Sequence, residues 1–589
     1  MSDNTEQNTS LTDHAMLVVW GQYAHCLGLP KAFAEVPLSQ KTVEHTPQSK
    51  VLEFLVANLA GLEYLKDLSL SAHPLDKDQA VARAWGQNSW ADHSGVSRTL
   101  KSLTDDEVAQ YAAILEQATQ ALLDQEVQRA LAQGAIELDG DLSPRRVSNS
   151  SQTYPEAEYG YMSGRLQLGY QAAVVSMRSP TYGRLGLSAG HHSGKTVSVT
   201  QAEGLALEAE RRFGRRPLRR TDLLAQRLEQ MEPEMHKRQQ KVAEAQQNLL
   251  EAEAAQAEVQ QQYQQMAQEL AEVEAAYQQS QRPERPNSHL AKVRHQAGAY
   301  QRRLERRQQA VLKAQGWLGQ QQTRLAEWEA EKALLSARWQ RFQAENACNL
   351  NPIQAILRLD AGFGDAGNLA LLIEMGYEVY SKPYGNWLSG TLTMMSEART
   401  QDWQKVGKNA EMVAWKAVQL EDFPYPLDLG YERFWQSGAG SQPQLAFSGL
   451  VHFGQQDVTA DLPGWFHRYN ARQTIEAGNK ESQQVFEVHH IKVRSRPAMH
   501  LQEHFALFAA NFVRFAAHWL VEQCPQIPDG WRVSTCPKVK EQVKVGAHSP
   551  AWVEWHGQDC LVRFTDRSVY AGRSFRVNRR IAIQLTLRL

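Results

Sequence analysis

The 589-residue sequence predicts a mixed-sheet α/β domain, split by a long antiparallel helical hairpin and preceded by an all-α segment. Apolar residues recur at three-and-four spacing through most of residues 14–130, the mark of amphipathic helices. Strand-like runs bounded by turn residues begin at Ala135 and resume at Ala355. The stretch between them carries a helical register on both sides of a proline-containing turn.

In the N-terminal segment, residues 51–68 and 105–127 have the helical repeat. Residues 76–85 form a short helix, Gly86-Gln87-Asn88-Ser89 is turn chemistry, and residues 95–101 open another helix with Ser97 and Arg98. That order fits a helix-turn-helix with Arg98 facing DNA, and it equally fits two helices packed in an all-α domain. From Ala135 the expected elements are strands at 135–142, 166–177 and 183–189 and a helix at 201–213. After the interruption come a strand at 355–359, a helix at 368–375 and a strand at 377–380. Strands at 412–418 and 444–453 lie in a Gly- and Pro-rich stretch. Helices follow at 469–486 and 501–522, then strands at 539–545, 551–556, 560–564 and 581–589. The expected segments are 1–130, 131–221, 222–346, 347–390, 391–466, 467–530 and 531–589.

In the interruption, Leu228, Met231, Met235, Val242, Leu249, Val259, Leu270 and Tyr277 belong to one apolar seam. Pro283 and Pro286 stop it, and Leu290, Val293, Ala297, Leu304, Val311, Leu325, Leu335 and Phe342 resume it. Two arms of similar length about a turn predict a helical hairpin, each arm of ~55 residues spanning roughly 80 Å.

Lys+Arg 63 against Asp+Glu 65 gives a net charge of −2, so total charge does not announce a nucleic-acid partner. Arginines are clustered, however: Arg211 to Arg220, Arg302 to Arg307, and Arg573 to Arg580. Such knots set the local field that a phosphate backbone meets, although solvated helix faces have the same composition. The five cysteines lack any Cys-x2-Cys spacing, which argues against zinc fingers or a disulfide framework and fits a reducing cytoplasm. The polar N-terminus has no signal-peptide pattern, and residues 505–520 are too short and polar to cross a bilayer. A soluble protein is expected.

Two glycine motifs mislead. Gly362-Phe363-Gly364-Asp365-Ala366-Gly367 lies between a strand and a helix, as a dinucleotide site would. Asp360 would repel a pyrophosphate there, and Ser381 and Lys382 stand where an acid should bind ribose. Gly190 and Gly194 are separated by three residues where a P-loop needs four. The adjacent pairs His191-His192 and His489-His490 should diverge on a strand or helix, so no metal is expected from them.

Three acids remain. Asp139 and Asp360 end apolar runs, where a buried carboxylate is costly without a cation or hydrogen bonds. Glu476 lies in a helical stretch with Tyr469, Arg472 and Lys480. Two strand acids and a helical Glu form an oxygen-only set suited to paired Mg²⁺. Asp141 lies on the same strand face as Asp139, so either or both could serve.

The spacing Tyr469-x2-Arg472-x3-Glu476, with Leu138-Asp139-Gly140-Asp141, Tyr159-Gly160-Tyr161 and Arg358-Leu359-Asp360-Ala361-Gly362, resembles bacterial insertion-sequence transposases of the DDE type. The resemblance covers nearly the whole chain outside the hairpin. It implies an RNase H-like core with acids ending the first and fourth strands. It also implies two Mg²⁺ (or Mn²⁺) ions held by Asp139, Asp360 and Glu476, for cleavage and strand transfer at terminal inverted repeats. Tyr469, Arg472, Lys480, Lys382 and Arg98 are the implied DNA contacts, in a homodimer on double-stranded DNA associated with the bacterial nucleoid. The family's lysine, seven residues after the Glu, is Gln483 here, with Lys480 the nearest cation. Trp403, Trp415, Trp435 and Trp465 are candidates to hold a flipped base. The rival expectations are an inactive or domesticated DNA-binding protein with this fold, and a structural coiled-coil protein.

Overall fold

The computed structural model describes residues 8–41, 44–149, 153–162, 164–281, 284–385, 387–397, 402–436, 444–523 and 538–579. The chain divides into two compact units, residues 1–218 with 349–589, and residues 219–348.

The first unit begins with β1 (Thr9–Thr12), α1 (Ala15–Cys26), α2 (Leu29–Ala34), α3 (Pro47–Leu59), α4 (Asp67–Leu70), α5 (Gln79–Ala84), α6 (His93–Lys101) and α7 (Asp105–Ala132). Their starts follow capping chemistry. The Thr46 side chain accepts from Ser49 N ahead of Pro47, and Thr104 with Glu107 forms a reciprocal capping box on α7. α5 packs on α1 and β1, whereas α6 packs on α3, so each helix of the expected helix-turn-helix is seated in the helical core.

Next come β2 (Ile136–Arg146), β3 (Glu158–Met162), β4 (Arg165–Ser179), β5 (Gly183–Ser193) and α8 (Ala202–Phe213). The second unit is the hairpin, α9 (Thr221–Ser280) and α10 (His289–Ala347). The first unit resumes with β6 (Ala355–Leu359), α11 (Ala366–Glu374), β7 (Glu378–Ser381), α12 (Ser389–Glu397) and β8 (Gln404–Lys405). It continues through β9 (Ala410–Val418), β10 (Leu427–Gln436), β11 (Gln444–Phe453), α13 (Leu462–Asn470), α14 (Gln473–Gln484) and α15 (Arg496–Gln523). It closes with α16 (Val539–Lys544), β12 (Ala551–His556), β13 (Asp559–Phe564) and β14 (Ser574–Val577).

The large sheet is mixed. β2, β6 and β7 run parallel at its centre, and β4 pairs antiparallel to β2. The long β4 carries β3 along its first residues and β5 along the rest of the same edge. β11 pairs antiparallel to β7, so β8–β11, within the segment expected at 391–466, extend the sheet. Alternation along β2 sends Gly140 toward Leu205 of α8 and sends Asp139 and Asp141 to the opposite face.

α15 joins this sheet to the N-terminal helices. Phe505 meets Phe33 and Phe54, and Phe512 meets Tyr23 and Trp85. β1 pairs with β12 in a four-stranded sheet with β13 and β14, so the two ends of the chain share one sheet. No helix among the described residues is long and apolar enough to cross a membrane.

Several local expectations change. Residues 539–545, expected as a strand, form α16, because Val539 and Val543 are buried four residues apart on one helical face. The expected helix at 469–486 breaks between α13 and α14, near Ala471. β3 and β10 were not anticipated, and the strand expected at 581–589 lies outside the described residues.

The hairpin keeps its expected register. Leu224, Met231, Met235, Ala245 and Val259 of α9 are buried, as are Leu290, Val293, Ala297, Leu304, Val311, Leu335 and Phe342 of α10. Arg227–Glu331, Lys332–Glu232 and Arg294–Glu274 link the arms along the seam. At 1.5 Å per residue, helices of 60 and 59 residues are roughly 90 Å long.

Candidate active site

The parallel pairing of β2 with β6 brings the strand acids together, but in a shifted register. Asp139 lies opposite Arg358, so Asp141, two residues further along the same face, comes level with Asp360 at the end of β6. Asp139 is buried in a bidentate pair: Arg358 Nε donates to Oδ1 at 2.7 Å and Nη2 to Oδ2 at 3.0 Å. Arg358 also donates from Nη1 to Glu137 at 3.0 Å and to the Arg468 carbonyl at 2.8 Å. Burial raises the Asp139 carboxyl and Arg358 opposes the rise. Both oxygens are thus engaged by one guanidinium, which already balances the charge. Asp139 is therefore paired with Arg358, and Asp141 is the acid of β2 that stands level with Asp360.

Asp141 stands among like charges. Burial, Asp360 and Glu476 push its carboxyl up to about 7, against the pull of Arg472. Asn479 Nδ2 donates to Asp141 Oδ2 at 2.5 Å. Asp360 turns its side chain onto Gly362 N at 2.9 Å, opening the 3₁₀ turn that follows β6. Glu476 projects from the first turn of α14 and is half-exposed.

Arg472, at the start of α14, lies between these groups, 3.8 Å from Asp141 Oδ1 and 3.6 Å from Glu476 Oε1. Its Nη1 is buried and makes no hydrogen bond. Tyr469, expected beside a DNA strand, is instead buried, with its hydroxyl on the Leu359 carbonyl at 3.3 Å. Burial pushes that phenol up to about 12, so it stays a neutral donor. Its position on the end of α13 props the turn that carries Asp360.

Lys480 is exposed and lines a cavity of about 490 Å³ with Arg184, Arg514, Lys538 and Lys540. Arg184 donates to the Thr474 and Ile475 carbonyls, the latter at 3.2 Å, and its guanidinium fills the space a Cβ at Gly478 would need. Gln483, seven residues after Glu476, donates to Ser143 Oγ at 3.3 Å. Lys382 is half-buried, and its charge lies near Glu432. Arg98 is exposed on α6 and is not part of this group.

The glycine motif after β6 serves the turn. A Cβ at Gly364 would lie 1.9 Å from the Lys382 carbonyl. Asp365 caps α11 by accepting from Gly367 N and Asn368 N, so its carboxylate occupies the helix N-terminus that a pyrophosphate would use.

Among the described residues, the group of three ligand atoms within 4.8 Å of one another is Glu487, His489 and His490, not the acids. The acids nevertheless fit hard divalent ions: their donors are all oxygen, and Asp141 is raised by burial and by the neighbouring acids, which Arg472 only partly offsets. Asn479, Arg184 and Arg358 were not singled out in the sequence. Arg358 was detectable, since a charge inside the apolar strand Ala355–Leu359 demands a buried partner.

Of the tryptophans, Trp465 is fully buried, Trp403 lies under Arg433, and Trp435 is exposed on β10. Of the arginine knots, Arg211 and Arg212 pair with Glu116 and Arg219 with Glu345, so much of the first is structural. Arg302, Arg303, Arg306 and Arg307 are exposed on α10. Arg580 lies outside the described residues.

No protein-family model matches the chain, and no curated protein matches it.

Proposed function

We propose that the chain is a metal-dependent phosphodiester-cleaving enzyme with an RNase H-like core. Within that class it is a DDE-type transposase of a bacterial insertion sequence. The observation that carries the reading is the meeting of Asp141, Asp360 and Glu476 around Arg472, built by two parallel central strands and a later helix. The strand order β5-β4-β2-β6-β7, with β2, β4 and β5 antiparallel and β6 and β7 parallel to β2, supports the RNase H-like assignment. Asp141, Asp360 and Glu476 would hold two Mg²⁺ (or Mn²⁺), with Asp141 in the place expected for Asp139.

Bound Mg²⁺ would supply Lewis acidity at the attacking and leaving oxygens. The chain's own groups do the rest. Arg472, whose Nη1 lies among the acids without a hydrogen bond, is suited to hold a phosphate oxygen and so align the scissile bond. Asn479 fixes one oxygen of Asp141, leaving the other toward the cluster. Lys480 and the basic cavity beside α14 provide a path for the flanking backbone. Lys382 would reach phosphate from the end of β7, and Arg98 from α6. The partner is double-stranded DNA, engaged by two copies of the chain so that two ends are paired.

The test is Mg²⁺-dependent cleavage of DNA carrying the inverted repeats that bracket the gene. D141N, D360N and E476Q should each abolish cleavage while retaining end binding. Cleavage by D141N near the wild-type rate would overturn the assignment.

A further inference from the structure

We infer that the turn after α14 is a transition-metal site, with Glu487, His489 and His490 as ligands and Zn²⁺ as the ion its donors suit. Adjacent histidines diverge on a strand or a helix, but residues 487–490 form a turn, and there the two imidazoles converge. Their ring centroids are 4.0 Å apart. Glu487 holds a left-handed backbone, φ +54°, which is uncommon for a residue with a Cβ and bends its carboxylate back over the turn. His490 N donates to the Glu487 carbonyl at 3.0 Å and closes the turn.

The donors are spaced for one ion. One ligand atom each from Glu487, His489 and His490 lies within 4.8 Å of the other two. His489 Nδ1 is 3.7 Å from Glu487 Oε2. His490 Nε2 is 3.2 Å from Glu63 Oε1, so Glu63 stands beside the group as a partner of one of its imidazoles. Tetrahedral Zn²⁺ with bonds of about 2.0–2.1 Å sets its donors roughly 3.4 Å apart. Two nitrogens and one or two carboxylate oxygens select a borderline ion over Mg²⁺, so the site would not compete for the ion proposed at Asp141.

The surroundings hold the ligands in place. Lys544 Nζ lies 2.7 Å from Glu487 Oε1, orienting that carboxylate and leaving Oε2 toward His489. Lys492 Nζ donates to the Phe486 carbonyl at 3.3 Å and buttresses the turn from within. Tyr64 stacks edge-on against His490 at 5.0 Å. His489 is 42% exposed, so an ion has an open route in. A bound ion would tie the end of α14, the helix bearing Glu476, to residues 63–64 of the N-terminal helices. Its role is structural, and it stands whether or not the chain cleaves DNA.

The test uses the full chain, free of any histidine tag, dialysed against chelator and titrated with Co²⁺. A four-coordinate imidazole–carboxylate site gives a visible absorption band that all-oxygen octahedral sites give only weakly, and Zn²⁺ should displace it at one equivalent. H489A/H490A should lose the band and bind Zn²⁺ at least about tenfold more weakly, and D360N should keep it. Zn²⁺ should also raise the melting temperature of the wild type but not of the double variant. A wild-type chain with no such band, or equal Zn²⁺ uptake by the double variant, would overturn the inference. The wild-type spectrum decides the matter even if the double variant fails to fold.

Discussion

Replacing Asp141 with Asn should make the metal-free protein more stable near pH 8 and leave it almost unchanged near pH 3. Asp141 is 15% exposed, and burial together with Asp360 and Glu476 lifts its carboxyl from the ordinary 3.8 to about 7. Between those two values the folded chain holds a proton that the unfolded chain has released. Stability therefore falls as pH rises through this window and levels off above about 7. About three pH units at 1.36 kcal/mol each give a ceiling of about 4 kcal/mol. Relaxation of the charged cluster should reduce the measured effect to about 2 kcal/mol. The amide carries no charge, and its oxygen still accepts from Asn479, so the variant escapes the penalty. Mg²⁺ should reverse the ranking by stabilising the wild type alone, with protons released on binding near neutral pH. Thermal unfolding in chelator at the two pH values, repeated with Mg²⁺, is the assay. A variant less stable than the wild type near pH 8, or a difference that does not change with pH, would refute the crowded-carboxylate argument.

Arg358→Leu strands Asp139 in a dry interior, while Glu137 keeps Arg178 and Arg468, and should cost about 3–5 kcal/mol, seen as loss of soluble protein, whereas Arg358→Leu with Asp139→Leu should recover much of it. Gly364→Ala must displace the Lys382 carbonyl, so a melting temperature within a degree of wild type would contradict the close approach. Shortening α9 and α10 by matched heptads should leave the melting of the sheet-containing unit unchanged, because each unit has its own buried core. Changing Arg302, Arg303, Arg306 and Arg307 to Gln should lower the salt slope of DNA binding by up to about 0.9 per lost phosphate contact, and an unchanged slope would exclude the arm from the interface.

The hairpin was legible because its seam repeats for many turns, and repetition averages out local noise. The central strands were legible because β6 is a short apolar run and β2 opens with Ile136, Leu138 and Leu142 at strand spacing. Strand β10 carries a readable signal, since Leu427, Leu429 and Tyr431 alternate with Asp428, Gly430 and Glu432; the alternation breaks at Arg433, and Pro424 and Pro426 just before it read as loop. Residues 539–545 misled because valines separated by polar residues fit either period, and burial four apart decided for helix. At the site, alternation limited the first acid to Asp139 or Asp141 but could not choose between them. The choice depends on the register of β2 against β6, which places Arg358 beside one and Asp360 beside the other. Likewise His489 and His490 looked inert because divergence was judged for regular structure, and they lie in a turn.

The bridge between Pro217 and Ile353 has a kinetic meaning. Arg216 O accepts from Ile353 N at 3.1 Å, so the chain leaves the sheet-containing unit and re-enters it at nearly one point. β2 and β6 must find each other across more than two hundred intervening residues. Over half of that span is the hairpin, whose contacts are mostly between neighbouring turns and across a single bend. Once the hairpin has zipped, the effective loop falls to less than half its length, which lowers the closure entropy by about 0.7 kcal/mol. The insertion would then act as a splint during folding, bringing the two halves of the sheet to the same place before they pair.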